Sequence, residues 1–366
     1  MDGAIVSEPS STAVSTRARM WRTRLVRADI GVGWDGRRWT SGVLAAGFPD
    51  GVLADQAVAS WNLAPGVTAR IELRARTIDG TWSSWQPLAA WGAPGDRRSA
   101  SATPDAAGPY VDTDVLTADP GEGFDAVELR LTLDETTDAD PLRLAAVSFS
   151  APEPDSRPAA GDAVAAPAMA VAVEPLSQRA YPERDDLGGG GPAWCSPTSL
   201  TMVAAFWGAR IPSAAPADVP VGADPRVPWV ARAVYDSVYD GTGNWSFNVA
   251  VAAELGLDAV VSRLRSLEDA RALTDAGIPL IASISFGAGE LPGADYETAG
   301  HLLVLRGFDA AGDVLVADPA NAGGQDGLRT YPSAAFDAAW ARSRRTVYLV
   351  TSRGHALPPS GVSGAW

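Results

Sequence analysis

The sequence predicts an α+β protein in which an antiparallel β-sandwich domain precedes a domain of mixed helices and strands. Two stretches, residues 67–77 and 126–133, alternate apolar and polar side chains with the period of two that half-buried strands require. From residue 173 onward, helical and strand patterns alternate instead. Residues 153–172 lie between these two patterns and are rich in Ala and Pro, which is the composition of a semi-extended linker.

The composition is that of a globular protein with an acidic surface. The chain has 366 residues, of which 46% are hydrophobic and 20% are charged, and its formal net charge is -15. No lysine is present, so every cationic side chain apart from the two histidines is an arginine. A negative surface disfavours nucleic acid and anionic membranes. We therefore expect neutral or basic partners and no nucleic acid.

The sequence contains neither an obvious membrane span nor an export signal. No apolar run of 18 or more residues occurs, so we expect no membrane-spanning helix. Residues 1–20 are rich in Ser, Ala and Arg and lack the continuous hydrophobic core of a secretory signal. The sequence as written therefore predicts a cytoplasmic protein, with export possible if the start is mis-set. One cysteine allows no intrachain disulfide, which leaves the redox compartment open.

The N-terminal part divides into a tail and a sandwich. Residues 1–22 are rich in Ser, Thr and charges without periodicity, which predicts disorder. Residues 23–152 carry the alternating runs named above and a third predicted strand at residues 142–150. Turn signals such as Asp79-Gly80 separate the runs, and no helical period interrupts them. This pattern indicates an antiparallel β-sandwich.

Tryptophans are concentrated in the predicted sandwich, where Trp61, Trp82, Trp85 and Trp91 lie within about thirty positions of one another. We expect these side chains to fill the sandwich core. The alternative is an aromatic platform that binds a glycan or a peptide.

The second domain is predicted to cover residues 173–353, followed by an unstructured tail at residues 354–366. Its predicted helices cover residues 196–207, 229–238, 249–255, 266–277 and 333–342. Its predicted strands cover residues 259–264, 279–285, 301–308, 314–317 and 346–351. The segment Ser266-Leu267-Glu268-Asp269 has the pattern of a capping box, which predicts a helix start there.

The single cysteine, Cys195, lies where the helix at residues 196–207 is predicted to begin. Pro197 suits a first-turn position, and Gly208 suits a helix end. The helix between them is apolar on all sides, which is typical of a buried helix. Unpaired N–H groups at a helix N-terminus stabilise a thiolate. The position indicates a nucleophile, and the alternative is a small buried hydrophobic residue.

A cysteine nucleophile needs a base, and the chain offers only His301 and His355. We expect His355 to be solvated, because it lies in the Pro- and Gly-rich tail. His301 opens a buried-strand pattern, and a turn at residues 310 and 311 returns the chain to Asp318. In such a hairpin position 301 faces position 319 or 320, beside this aspartate. Its carboxylate can then hold one ring nitrogen while the other acts on Cys195.

Acyl transfer also needs a hydrogen-bond donor for the oxyanion. The side-chain amide of Gln178, upstream of the helix, could supply this donor beside the backbone N–H of Cys195. Asn321, three residues after Asp318, is a competing candidate for the group that orients His301. The lone cysteine and the histidines form no ligand cluster, so no metal or other cofactor is expected.

Three sequence motifs resemble one family of enzymes. They are Trp194-Cys195-Ser196-Pro197-Thr198-Ser199, the run from Gly300 and His301 to Phe308, and Val-Ala-Asp318-Pro-Ala. Together they resemble the papain-like cysteine peptidases of family thirty-nine, typified by the double-glycine leader peptidases of bacteriocin exporters. The resemblance is closest to the stand-alone, actinobacterial-type branch, in which a β-rich domain precedes the cysteine motif.

This resemblance implies a papain-like peptidase domain and a role for each site residue. Cys195 is the implied nucleophile, His301 the general base, Asp318 its orienter and Gln178 the oxyanion donor. The implied reaction is hydrolysis of peptide bonds in a peptide or protein substrate. Two other functions stay open. One is an amidase or transpeptidase of the same fold that acts on cell-wall peptides, and the other is a non-catalytic protein whose sandwich binds a glycan or peptide.

Overall fold

The computed structural model describes residues 20–101, 108–136, 140–153, 168–360 and 364–366. The predicted disordered N-terminus lies outside the described residues as far as residue 19, and the predicted linker does so over residues 154–167.

The described N-terminal region consists of strands in two antiparallel sheets. The strands are β1 (Trp21–Arg27), β2 (Arg38–Thr40), β3 (Leu44–Ala45), β4 (Gln56–Leu63), β5 (Ala69–Thr77), β6 (Gln86–Trp91), β7 (Arg98–Ser99), β8 (Tyr110–Asp112), β9 (Val115–Thr117), β10 (Phe124–Leu133) and β11 (Leu142–Pro152). One sheet has the order β1-β11-β4-β9-β8. The other has the order β2-β10-β5-β6-β7, with β3 also paired to β10.

The alternating patterns in the sequence place one face of each sheet in a shared core. On β5, Ile71 and Leu73 are buried, whereas Arg70, which directly precedes Ile71, is exposed. The two sheets touch through aromatic pairs, with ring centroids 6.3 Å apart for Phe124 and Phe149. The fold class predicted for this region, an antiparallel β-sandwich, is confirmed.

The four tryptophans singled out in the sequence, Trp61, Trp82, Trp85 and Trp91, divide into two pairs. Trp61 and Trp91 are buried and pack edge to face at 6.0 Å, as the core prediction requires. Trp82 and Trp85 are only half-buried, and the guanidinium of Arg74 lies 4.8 Å from each of their rings. The core prediction therefore holds for two of the four, and the other two are stacked against an arginine on the outer face of β5.

The C-terminal region packs helices against one antiparallel sheet. Its strands are β12 (Met169–Ala170), β13 (Glu183–Arg184), β14 (Gly189–Gly190), β15 (Leu257–Arg263), β16 (Leu280–Phe286), β17 (Thr298–Phe308), β18 (Val314–Ala317), β19 (Leu328–Tyr331) and β20 (Thr346–Ser352). Its helices are α1 (Cys195–Phe206), α2 (Arg226–Val234), α3 (Trp245–Glu254), α4 (Leu267–Asp275) and α5 (Ser333–Ala341). The main sheet has the order β15-β20-β16-β17-β18-β19, and β12 also pairs with β17.

Helix α1 is buried between this sheet and its neighbouring helices, as its all-round apolar sequence predicts. The hydroxyl of Ser199 donates to the carbonyl of Leu302 on β17 at 2.9 Å. The hydroxyls of Ser196 and Tyr348 on β20 are 2.9 Å apart. These two polar contacts fix the first turns of α1 over the centre of the sheet.

Two helix starts differ in detail from their predictions. Helix α3 begins four residues earlier than expected, because Asn244 caps it by accepting the backbone N–H of Phe247 at 3.0 Å. At the start of α4, Ser266 makes no side-chain cap hydrogen bond. The carboxylate of Asp269 instead accepts the backbone N–H of Arg265 at 3.0 Å. Neither bond of the predicted capping box is therefore formed, because Asp269 binds the residue before the N-cap and not Ser266 itself.

The sandwich and the α+β region share a buried boundary. Asn62 on β4 exchanges two hydrogen bonds with the backbone of Ala259 on β15, at 2.7 and 3.0 Å. Phe247 on α3 packs edge to face with Trp61 and Trp91 of the sandwich, at 6.2 and 5.4 Å. Arg97 forms an ion pair at 2.7 Å with Glu254 on α3. The two regions therefore form one continuous core at this boundary.

The C-terminal residues differ from the unstructured tail that the sequence predicts. Ala365 and Trp366 are buried, at 0% and 9% exposed. The indole of Trp366 donates to the carbonyl of Pro358 at 2.8 Å, and the N–H of Leu25 on β1 donates to Gly364 at 2.8 Å. Burial of the apolar side chains of Ala365 and Trp366 orders this end of the chain, although the preceding sequence is rich in Pro and Gly.

None of the helices in the described part of the chain is long and apolar enough to cross a membrane.

Candidate active site

Cys195 is the first residue of α1, and a tight loop delivers it there. Gly190 has φ +76°, a conformation that L side chains avoid, and a Cβ on it would lie 2.4 Å from the carbonyl oxygen of Pro182. A Cβ on Gly191 would lie 2.1 Å from the carbonyl oxygen of Tyr181. Only glycine therefore fits both positions, and the close packing sets the direction from which the chain enters α1.

The surroundings of Cys195 favour the thiolate. Burial alone would raise the pKa of the thiol, but the hydrogen bond and positive charge of His301 lower it, and so do the N–H groups of Leu302 and Ser196. The net result is a pKa below that of an ordinary cysteine. A helix N-terminus acts in the same direction, because its amide dipoles point positive ends at the sulfur.

His301 lies on β17, opposite Ile284 on β16, and is 4% exposed. Its Nε2 is 2.9 Å from Oδ1 of Asp318, which leaves Nδ1 as the ring nitrogen that faces Cys195. Burial lowers the pKa of the imidazole, but the charge and hydrogen bond of Asp318 outweigh it and raise the pKa to about 10. The arrangement therefore favours an imidazolium paired with a thiolate.

Asp318 directly follows β18 and is completely buried. The hairpin places it as the sequence predicts, because β17 and β18 pair Val304 with Ala317, so position 301 faces position 320 in the same register. Burial would raise the pKa of this carboxyl, but the charge and hydrogen bond of His301 hold it well below its usual range. The carboxylate is therefore ionised beside the imidazole.

Asn321, the competing orienter, does not contact His301. Its Nδ2 donates to the carbonyls of Leu176 and Asp318, and its Oδ1 accepts the N–H of Gly323 at 2.7 Å. All three partners are backbone groups, so Asn321 fixes the loop after β18. The structure thus places Asp318, and not Asn321, on the imidazole.

Gln178 lies near the cysteine but is engaged elsewhere. It is 5% exposed, and its Nε2 donates to the carbonyls of Gly191 at 3.1 Å and Pro192 at 2.7 Å. These two bonds use both amide hydrogens, while its Oε1 has no hydrogen-bond partner among the described residues. As it stands, Gln178 holds the loop that leads to Cys195, and an oxyanion could be bound only after one of these bonds is released.

His355 is not part of the site. Its ring packs against Trp207, which directly follows the last residue of α1, with ring centroids 4.8 Å apart. Because α1 rises about 1.5 Å per residue over twelve residues, this contact lies at the end of the helix opposite Cys195.

A cleft of about 1140 Å³ opens over the cysteine and the histidine. Both halves of the molecule line it. The sandwich contributes residues from β4, β8, β9 and the turn before β9, which are Gln56, Asp112, Thr113, Asp114, Val115 and Thr117. The α+β region contributes, among others, Gln178, Tyr239, Asp240, Trp245, Tyr296 and Glu297. The α+β region alone therefore does not complete the cleft.

Sequence reasoning missed several residues that hold this arrangement together. Asp114, from the sandwich, is buried, and its carboxylate accepts the N–H of Trp245 at the start of α3 at 2.6 Å. Burial raises the pKa of Asp114 to about 6 despite this bond. Tyr296 and Tyr331 both donate to Asp318. Nothing in the sequence around these residues marks them, because each contact joins segments that are distant along the chain.

A cysteine at the start of a buried helix, facing a histidine on an adjacent antiparallel sheet, is the architecture of the papain-like cysteine peptidases. Residues 171–348 match the model of the Peptidase_C39 like family, and residues 3–150 match the model of the Peptidase C39 N-terminal domain. Between them the two matches cover both halves of the molecule, and both models describe domains of C39 peptidases.

A solved structure gives a further comparison. A crystal structure of a protein from Bacillus anthracis, assigned as a C39-like peptidase, is 16% identical to this chain. The match covers 51% of this chain and 98% of the other, with a TM-score of 0.35. No curated protein matches the chain.

Proposed function

We propose that this protein is a cysteine peptidase that hydrolyses peptide bonds through Cys195, His301 and Asp318. One observation carries the proposal. His301 is held through Nε2 by a buried carboxylate, and its other ring nitrogen is directed at the only cysteine in the chain. The cysteine and the histidine line one cleft, and the carboxylate lies buried behind the histidine, which is the order that a nucleophile, its base and an orienting group require.

The first half of the proposed reaction forms a thioester. The Cys195 thiolate attacks the carbonyl carbon of the scissile peptide bond, and the carbonyl π electrons move to the oxygen, giving a tetrahedral oxyanion. The oxyanion collapses, the C–N bond breaks, and the imidazolium of His301 gives its proton to the leaving amine. The thioester and a neutral imidazole remain.

The second half regenerates the enzyme. His301, now neutral, takes a proton from a water molecule while the water oxygen attacks the thioester carbon. Collapse of the second tetrahedral oxyanion breaks the C–S bond and releases a carboxylic acid. The thiolate leaves paired again with the imidazolium, whose charge Asp318 balances.

The oxyanion requires donors that are fixed before the reaction. The backbone N–H of Cys195 belongs to the first turn of α1, where N–H groups have no intrahelical acceptor. Gln178 is the proposed second donor. Because both of its amide hydrogens are engaged with Gly191 and Pro192, this role requires one of those hydrogen bonds to be exchanged for the oxyanion.

The proposed substrate is a peptide or a flexible segment of a protein. The cleft has a volume of about 1140 Å³, and Asp112, Asp240 and Glu297 place exposed carboxylates along it. We propose that the sandwich takes part in substrate binding, because the turn before β9 forms one wall of the cleft.

A peptide library digested by the full chain and analysed by mass spectrometry tests the proposal. We expect cleavage by the parent protein and none by Cys195→Ala or His301→Ala. His355→Ala is the matched control, since it removes the only other imidazole and should keep cleavage. Cleavage by Cys195→Ala at the parental rate, or loss of cleavage in both histidine variants, would contradict the assignment.

A further inference from the structure

Two tyrosine hydroxyls converge on one oxygen of the Asp318 carboxylate. Tyr296 donates to Oδ2 at 2.8 Å, and Tyr331 donates to the same oxygen at 2.6 Å. The other oxygen, Oδ1, is 2.9 Å from Nε2 of His301 and accepts the N–H of Ala320 at 2.8 Å. The carboxylate therefore has four hydrogen-bond partners, two on each oxygen.

This division of partners makes the two oxygens of Asp318 inequivalent. Rotating the carboxylate by half a turn would exchange its two oxygens and restore the same shape. Any smaller rotation would break the hydrogen bonds to the two tyrosines and to His301 at the same time. A carboxylate held only by the imidazole and one backbone N–H would be free to rotate around those two contacts. The hydrogen bonds from the two tyrosines thus hold the carboxylate in one orientation.

We propose that Tyr296 and Tyr331 are positioning residues for this site: their hydroxyls hold the Asp318 carboxylate against His301 and so keep the imidazolium paired with Cys195. The inference rests on the proposed function, because it concerns the same three residues. It adds that the pair of tyrosines sets the pH range over which the thiolate and imidazolium exist together.

The two tyrosines support the carboxylate from different environments. Tyr331 is fully buried on β19, and its ring stacks on Phe336 of α5 with centroids 6.5 Å apart. Tyr296 lies in the segment before β17, lines the cleft, and packs its ring edge to face with His301 at 5.3 Å. Tyr296 therefore also covers the His301–Asp318 hydrogen bond on the side of the cleft, where substrate and water enter.

Other charged and titratable groups around Asp318 come from every neighbouring element. Arg329 on β19 interacts with the Tyr331 hydroxyl and with the Asp318 charge, and it forms an ion pair at 2.9 Å with Asp295, next to Tyr296. His301 comes from β17 and Cys195 from α1. Burial and the negative charge of Asp318 raise the pKa of both tyrosines far above the ordinary value, so both hydroxyls stay protonated donors throughout the working range.

The test is an NMR titration of the His301 imidazole in the full chain, with pH-dependent alkylation of Cys195 by iodoacetamide as the second measurement. The chain has only two histidines and one cysteine, so His355→Ala identifies the His301 signal and the alkylation has one target. The variants are Tyr296→Phe, Tyr331→Phe and their combination, which remove hydroxyls and keep the rings. Asp318→Asn serves as the reference for loss of the charge.

We expect each single variant to lower the pKa of His301 and to raise the pH at which half of Cys195 reacts as thiolate. Either hydroxyl still holds Oδ2 in the single variants, so the combination should exceed the sum of the two shifts. It should move both midpoints in the same direction as Asp318→Asn. Tyr235→Phe is the matched control, because its hydroxyl also donates to a carboxylate, Oδ1 of Asp240 at 2.7 Å, and not to Asp318, so it should change neither midpoint.

An unchanged or raised pKa of His301 in the variants would overturn the inference. A raised value would mean that the tyrosines only share the carboxylate charge and do not position it. If the combined variant fails to fold, as judged by circular dichroism, the two single variants still decide the question. The proposed function is tested separately, by whether iodoacetamide alkylates Cys195 of the parent protein faster below pH 7 than it alkylates an ordinary thiol.

Discussion

At the scale of single residues, the site depends on three groups that gain their properties from each other. Burial alone shifts the pKa of each group towards its neutral form, upwards for Cys195 and Asp318 and downwards for His301. Together, the carboxylate stabilises the imidazolium and the imidazolium stabilises the thiolate, and each of the three pKa values moves to the charged side. Removing one member should therefore change the titration of the other two.

Asp318→Asn should narrow the pH range of activity. The amide keeps the shape but loses the charge that raises the pKa of His301, so the imidazolium loses its proton at lower pH and the alkaline limb of turnover moves to lower pH. The rate should fall by roughly tenfold or more, but by less than the about 10⁴-fold upper limit of general acid–base catalysis. The measurement is the pH profile of peptide cleavage.

Asn321→Ala is the control for this variant, because it changes the loop that carries Asp318 without touching the imidazole. It should lower stability and keep the limits of the pH profile. A shifted profile in Asn321→Ala with an unchanged one in Asp318→Asn would move the orienting role to Asn321.

The residue scale also shows what the sequence can and cannot predict about the site. Cys195 was identified by its place at a helix start, and His301 with Asp318 by counting the register of one hairpin. Both arguments use local spacing. The bonds of Gln178 and the two tyrosine hydroxyls depend on how loops pack across the sheet, which no local pattern encodes.

At the scale of elements, periodic patterns predicted existence and type well and boundaries less well. Helix α1 was predicted to within one residue at each end, since a glycine-rich entry and Gly208 bracket it. Helix α2 ends at Val234, four residues before its predicted end, because the apolar pattern continues into the following loop. The burial of Trp366 could not be predicted, because two apolar residues after a polar tail give no periodic signal.

Gly190→Ala should disturb the loop that delivers Cys195. The substitution places a Cβ 2.4 Å from a backbone oxygen, at a residue whose φ is +76°. It therefore combines backbone strain with a clash that only a movement of the backbone can relieve. Gly208→Ala is the matched control, because its φ of +73° is similar and nothing lies within 4 Å of the added carbon.

We expect thermal unfolding to show a loss of about 1 kcal/mol for Gly208→Ala and clearly more, on the order of 2–4 kcal/mol, for Gly190→Ala. The rate of Cys195 alkylation should fall only in Gly190→Ala. Equal losses of stability in the two variants would show that the close approach to Pro182 does not determine the loop.

At the scale of the whole molecule, the sandwich is built into the site. Its buried boundary with the α+β region includes an aromatic cluster and the Arg97–Glu254 ion pair. It also includes the two hydrogen bonds between the side chain of Asn62 and the backbone of Ala259. The aromatic packing and these directional polar contacts join the two regions across a buried boundary. The turn before β9 then forms one wall of the cleft. Composition predicted two units, but not that they share one cleft.

The most direct test of the central claim is the rate at which iodoacetamide alkylates Cys195 as a function of pH, in the parent protein and in His301→Ala. A thiolate paired with an imidazolium should react well below the pH of about 8.5 at which a free thiol ionises. We therefore expect a reactive plateau that extends below pH 7 in the parent and is absent in His301→Ala. A single transition near pH 8.5 or above in both proteins would contradict the pairing, and with it the proposed peptidase mechanism.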